Sequence, residues 1–195
     1  MFVFLASRHY DQADETARTA AEALKATADA GDQAAMSLCG GLTLQRAVIA
    51  SRLNDPDTAY GLLDQAKDVA TRLGEGRNDF DTEFGPANIG IQEVAVAVDL
   101  GDAGRALRVA AGLDVSHLSA ERRWRLLIDV ARAHAQRRQS YEAVAALLRA
   151  EEIGAEQIRG HRAVRQLVND LMVMQEKPMA ELRELAGRLT TQRSD

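Results

Sequence analysis

Apolar residues return every three or four positions along almost the whole chain, the spacing of one face of a helix rather than the alternation of a strand. Three segments show it most clearly. Ala143, Leu147 and Ala150 in "SYEAVAALLRAEEI", Ala59, Leu63 and Ala66 in "DTAYGLLDQAKDV", and Ala106, Ala110 and Leu113 in "GDAGRALRVAAGL" fall at offsets of four and three. A small first residue lets a neighbouring helix come close, and those offsets keep all three on one face. The pattern predicts helices over 2–8, 10–30, 33–54, 56–73, 86–100, 103–113, 119–138, 140–153, 160–176 and 178–190. No segment alternates long enough to predict a sheet. The punctuation agrees. Pro56, Pro86 and Pro178 sit where helices should begin, Asp55, Ser119 and Ser140 suit the N-cap, and Gly31, Gly74 and Gly101 follow helical runs as stops.

The helices fall into pairs, and the pairs repeat. Ala106 and Ala143 lie 37 residues apart, close to the ~34-residue period of tetratricopeptide hairpins. Ala59 and Ala106 lie 47 apart, and the excess coincides with "RNDFDTEFGPANIGIQ". Segment 74–85 is therefore expected to be an inter-repeat loop. The predicted fold is all-α, a tetratricopeptide-like α-α superhelix of about ten helices in stacked hairpins, with 1–195 as one repeat domain.

The segments "FGPANIGIQEVAVAVDLGDAGRAL", "RRWRLLIDVARAHAQRRQSYEAVAALLRAEEI" and "EQIRGHRAVRQLVNDLM" carry a more specific resemblance. They resemble the C-terminal tetratricopeptide-like domain of XRE-type helix-turn-helix regulators of high-GC Gram-positive bacteria, over nearly the whole chain and most closely over 73–190. In such regulators the repeat domain follows an N-terminal DNA-binding domain. No compact helix-turn-helix signature is found here, so the resemblance implies a sensor half without its DNA-binding part and no direct nucleic-acid binding by this chain.

Composition narrows the chemistry. Aromatics are 4% of the chain against 46% hydrophobic residues, so the core must be built mainly from Ala, Leu and Val. The net charge of −5 opposes unaided nucleic-acid binding. It is also uneven: residues 1–102 hold 8 basic and 17 acidic side chains, and 103–195 hold 16 and 12. With one cysteine, Cys39, no intrachain disulfide can form; among leucines it reads as a small buried hydrophobe. No apolar run approaches the ~20 residues of a membrane span, and "MFVFLASRHY" lacks the basic start of a signal peptide, so a cytoplasmic bacterial protein is expected. Arg outnumbers Lys 21 to 3, in keeping with a high-GC genome.

In a tetratricopeptide array the first helix of each pair lines the concave face. Placing Ala106 and Ala143 on second helices makes Asn88, Ile91 and Gln92, then Arg125, Ile128, Arg132 and Gln136, then Arg162, Arg165 and Asn169 the inward-facing set. Arginine forks suit a carboxylate and amides can bond an extended backbone. The same residues also fit an ordinary polar surface paired with Asp129 or Glu93. Phe80 and Phe84 would be either a lid at the groove mouth or plugs sealing a hairpin joint. Phe2, Phe4 and Leu5 form an apolar start that predicts self-association, including a homodimer, or docking of an upstream domain.

His9, His117, His134 and His161 lack metal-ligand spacing, and no acid/base or nucleophile pair shares a face. No cofactor, metal or catalytic residue is expected. His134 and Trp124 read as core residues. The expected role is non-enzymatic: a regulatory sensor domain of a transcription regulator that binds a peptide or small signal in its groove, or associates with protein partners. The alternative is a pure scaffold or adaptor with a protein partner and no small ligand.

Overall fold

The computed structural model describes residues 9–74 and 79–190, with the side chains of Asp81 and Thr190 left out. Among these residues every element is helical. Nine α-helices follow one another: α1 Tyr10–Asp29, α2 Gln33–Arg52, α3 Pro56–Leu73, α4 Pro86–Asp99, α5 Ala103–Ala111, α6 Ala120–Gln136, α7 Ser140–Gly160, α8 Arg162–Met174 and α9 Ala180–Thr190. A 3-10 turn, Asp79–Asp81, interrupts the connection between α3 and α4. The chain divides into two compact units, one ending at Leu100 and one beginning at Gly101. The expected helix 2–8, with Phe2, Phe4 and Leu5, lies outside the described residues.

In the first unit α1, α2 and α3 pack in sequence, and α4 lies against α2 and α3. Three-residue connections join α1 to α2 and α2 to α3. Gly31 (φ 92°) is the middle residue of the first and Asn54 (φ 58°) of the second, both in the left-handed region. Asp32 and Asp55 start the following helices, accepting from the backbone N–H of Ala35 (2.8 Å) and Thr58 (3.1 Å). Pro56 and Pro86 stand at the helix starts as expected. The core is a seam of small residues, with Ala47, Ala59, Ala66 and Ala70 fully buried beside Leu44, Leu63 and Val96.

Phe84 closes this core. It is 2% exposed and lies on α2 at Gly40, where a Cβ would overlap the ring's Cζ and come within 2.7 Å of Cε1. Only a glycine admits the ring at this point. Phe80, four residues earlier, is the opposite case: it is 69% exposed, at φ 55° within the 3-10 turn. Of the two readings for the phenylalanine pair, Phe84 is a plug in the first unit's interior.

In the second unit α6 and α7 form a long hairpin, α5 packs on α6, and α8 and α9 cover α7. Asp102 and Ser119 cap α5 and α6 by accepting from the N–H of Arg105 (3.0 Å) and Arg122 (3.4 Å). Ala143, Leu147 and Ala150 are fully buried as their spacing predicts. In α5 only Ala106 is: the helix stops at Ala111, leaving Ala110 and Leu113 half-buried.

Several boundaries differ from the expected ones. Ser140 is the first residue of α7 rather than its cap. Gln139 holds the cap position without a capping bond, because its Oε1 is taken by His134 Nδ1 at 2.9 Å. Helix α7 does not stop near residue 153. Gly154 breaks its direction (φ −152°, ψ 68°), but the chain resumes helical turns to Gly160, which bury Ile158 completely. The last helix begins at Ala180, two residues after Pro178.

An ion-pair triad fastens the second unit. Glu151, on α7, accepts from Arg159 Nε (3.1 Å) and from Arg188 Nε (2.9 Å) and Nη2 (2.7 Å) on α9. Chiefly the Arg188 hydrogen bonds, joined by those of Arg159, hold the Glu151 carboxyl below its ordinary 4.5. A carboxylate whose folded pKa is depressed adds stability that is present above the unfolded value and lost as pH falls through the folded one. Glu151→Gln should therefore cost about 1–2 kcal/mol at neutral pH and flatten the acid limb of the stability curve below pH 4.5. Urea titrations at pH 7 and pH 3.5 check this; an equal loss at both would show that the carboxylate charge is not what matters.

Candidate functional site

The predicted groove residues fall in both units, and each unit is described by itself. In the first, α4 carries Asn88 and Gln92. Asn88 is only 4% exposed. Its Nδ2 donates to the Thr82 carbonyl at 3.5 Å, while its Oδ1 is buried with no hydrogen-bond partner among the described residues. Gln92, one turn on, is half-buried. Beside them Glu93, 6% exposed, accepts from Lys67 Nζ of α3 at 2.7 Å. Most of this α4 face is interior: Ile89, Ile91 and Val94 are all buried. Asn88 thus serves the joint between α4 and the preceding loop, and Gln92 is the part of that pair open to solvent.

The second unit gathers more charge. Helix α6 buries Trp124 and Ile128 and turns Arg125 outward. The Arg125 guanidinium carbon stands 5.2 Å from the Trp124 ring centre, and Glu121 accepts from its Nε (3.0 Å) and Nη2 (2.9 Å). Trp124 in turn meets the His161 ring edge to face, with centroids 5.8 Å apart at 74°. Its Cδ1 lies 3.0 Å from where a Cβ on Gly154 would be. The indole therefore sits across the break in α7 and fixes the joint that His161 makes with α8.

His161 ends α7 and opens α8 as a single-residue hinge between the two helices. Burial is the main cause holding its pKa below the usual 6.5, and the positive charges of Arg125 and Arg165 add to it. Arg165 donates through Nη1 to the carbonyls of Arg159 (3.0 Å) and Gly160 (3.1 Å), satisfying the end of α7. Arg162 and Asn169 are exposed three residues before and four after Arg165, on the face opposite buried Val164, Leu167, Val168 and Leu171. Arg125 and Arg165 are thus drawn to one histidine, and Arg162 and Asn169 extend the same exposed stripe of α8.

Arg132 and Gln136 lie two and three turns further along α6. Arg132 is half-buried and donates to Asp129 at 2.8 Å, the pairing that a plain polar surface would show. Gln136 is exposed at the last turn. Ile128, expected to face inward, is 5% exposed in the core. His134 is half-buried and satisfied by Gln139, as a structural histidine should be. Cys39 is half-buried, its thiol on the Ala21 carbonyl at 3.7 Å, and burial raises its pKa, the opposite of an activated nucleophile.

Two elements of this cluster were not read from the sequence. His161 lacks any partner at ligand spacing, so its place depends on the break at Gly154. The Glu151–Arg188 pair spans 37 residues and leaves no local signature. Among the described residues no group of three His, Cys, Asp or Glu could hold a metal ion, and no helix is long and apolar enough to cross a membrane. No protein-family model, curated protein or solved structure matches the chain.

Proposed function

We propose that the chain is a non-enzymatic interaction domain, the sensor part of a helix-turn-helix transcription regulator of the XRE type, whose tetratricopeptide-like hairpins bind an acidic peptide or a small carboxylate signal. The observation that carries this reading is the exposed basic stripe of the second unit: Arg125 and Arg165 bear on His161, and Arg162 and Asn169 continue along α8. Guanidinium forks recognise carboxylates in two-point fashion, and a neighbouring amide can bond a peptide backbone. Consecutive helical hairpins with fully buried Ala59, Ala66, Ala143 and Ala150 support the repeat architecture. The scaffold alternative has its own support in exposed apolar side chains, Phe80, Tyr141 and Val173, at 69%, 75% and 87% exposure.

The double change Arg125→Ala/Arg132→Ala tests the reading. Both arginines pair with acids on their own helix, an arrangement worth about 0.3–0.5 kcal/mol each. The variant should unfold within about 1 kcal/mol of the parent in a urea titration, while capture of acidic peptides from a random library on the immobilised protein falls sharply. A variant that captures the same acidic peptides as well as the parent would overturn the proposal. Parent capture dominated by uncharged apolar sequences would favour the scaffold alternative.

A further inference from the structure

The arrangement at the α7–α8 joint goes further than a basic surface. Arg165 commits only one of its nitrogens, Nη1, which donates to the carbonyls of Arg159 and Gly160. Those two bonds hold the guanidinium plane in place. Its Nε and Nη2, the side-on edge that meets both oxygens of a carboxylate, carry no bond among the described residues. Arg125 is held similarly, by Glu121 through Nε and Nη2 and by stacking on Trp124, leaving Nη1. Both cations are thus positioned in advance, which reduces the ordering cost of binding.

Between them lies an imidazole without compensation. His161 Nδ1 is buried and has no hydrogen-bond partner among the described residues. The charged side chains on the elements around the joint are Glu121, Arg122, Arg123 and Arg125 on α6, Glu151, Glu156 and Arg159 on α7, Arg162 and Arg165 on α8, and Arg188 on α9. Glu121 is taken by Arg125, and Glu151 by Arg159 and Arg188. His161 also stands at the start of α8, where the helix dipole disfavours a cation. Burial and the charges of Arg125 and Arg165 oppose a proton on the ring, and an anion at the two guanidinium groups would offset those two charges.

We propose that Arg165 and Arg125 form a receptor for a ligand carboxylate, and that His161 takes up a proton as the carboxylate binds. The inference rests on the interaction-domain reading above and adds to it the ligand's chemical group and a dependence on pH. A carboxylate can come from a peptide's free C-terminus or from an acidic side chain. Proton uptake makes affinity rise as pH falls, approaching about tenfold per pH unit for one linked proton. Without ligand, the depressed His161 pKa has a second consequence: its share of stability is complete above 6.5 and fades as pH falls below that value.

The test uses the full chain and three probes: acetyl-trialanine with a free C-terminus, the same peptide as its amide, and N-acetylglutamate with its α-carboxyl amidated. The His161 imidazole is titrated by proton–carbon NMR with and without each probe, and dissociation constants are measured from pH 7.5 to 6. A free carboxylate should move the His161 midpoint upward and bind more tightly at pH 6; the first and third probes together show which source is accepted. Arg165→Lys keeps the charge but removes the fork, and should weaken binding about tenfold. His161→Gln should abolish the pH dependence of binding. An unmoved His161 midpoint at saturation, binding indifferent to Arg165→Lys, or no binding of either carboxylate at millimolar concentration would each overturn the inference. Acidic library peptides that bind in any of these cases would leave the broader interaction reading standing.

Discussion

Replacing Phe84 by alanine should destabilise the first unit by about 3–5 kcal/mol, the range for a buried aromatic removed from a packed core. The ring is 2% exposed and occupies the space that Gly40 leaves on α2. The core cluster it belongs to holds Ala47, Ala59, Ala66 and Ala70, whose side chains have no reach, beside Leu44, Leu63, Ile89 and Val96. Gly40→Ala should be costly for the converse reason, since its Cβ would overlap a ring that has no room to withdraw. Phe80→Ala provides the control. That ring is 69% exposed at φ 55°, so its loss should stay within about 0.5 kcal/mol, and Phe80→Gly should be neutral or stabilising because glycine adopts that backbone freely. Amide hydrogen exchange across α2 and α4 reads the effect directly. Equal behaviour of the Phe84 and Phe80 variants would show that the buried ring is not what closes the core.

The second large effect belongs to Leu147. It is fully buried on α7 between Ala143 and Ala150, in the core cluster that also holds Ala131 of α6. Leu147→Ala should cost about 2–5 kcal/mol, toward the upper end where a cavity persists at roughly 24 cal/mol per Å³. It should persist here, since the alanines that frame the site already allow the backbones their close approach. Leu147→Met keeps the volume and should cost less than about 1.5 kcal/mol. Trp124 is the chain's single tryptophan and lies in the same core, so its fluorescence follows this unit's unfolding in urea. A Leu147→Ala midpoint indistinguishable from the parent's would mean that the helix pair is held by something other than this seam.

Much of the helical plan was legible in the sequence because its signals are local. Offsets of three and four located Ala59, Leu63 and Ala66 and again Ala143, Leu147 and Ala150; Pro56, Pro86, Asp55 and Ser119 marked starts. Where the reading slipped, a distant or competing contact decided. Gln139 gives its side chain to His134 and leaves α7 without the expected cap at Ser140. Burial of Ile158 carries α7 beyond Gly154 and past its expected end at 153. Among the site residues, Arg125, Arg162, Arg165 and Asn169, expected to line a concave face, are exposed side chains of α6 and α8. Periodicity could not distinguish Asn88 as an interior residue from Gln92 one turn away, because the loop that covers Asn88 folds back from Thr82. Nor could it find His161, whose setting is created by the approach of Trp124 and two arginines.

The alanine seams also set how this protein can vary. At most core positions of ordinary proteins, harm comes from shrinking a side chain. Here Ala59, Ala66, Ala70, Ala106, Ala143 and Ala150 have no exposed surface at all, and a helix packed against each one has been admitted only by its small size. A saturation scan should therefore be lopsided: substitutions upward, to Val, Leu or Met, are purged at these six sites, while Ser is partly tolerated. Leu63 and Leu147, set one turn from such alanines, should show the reverse. Drift in this sequence is thus steered toward its exposed faces, where recognition can change without disturbing the spacing of the helices beneath.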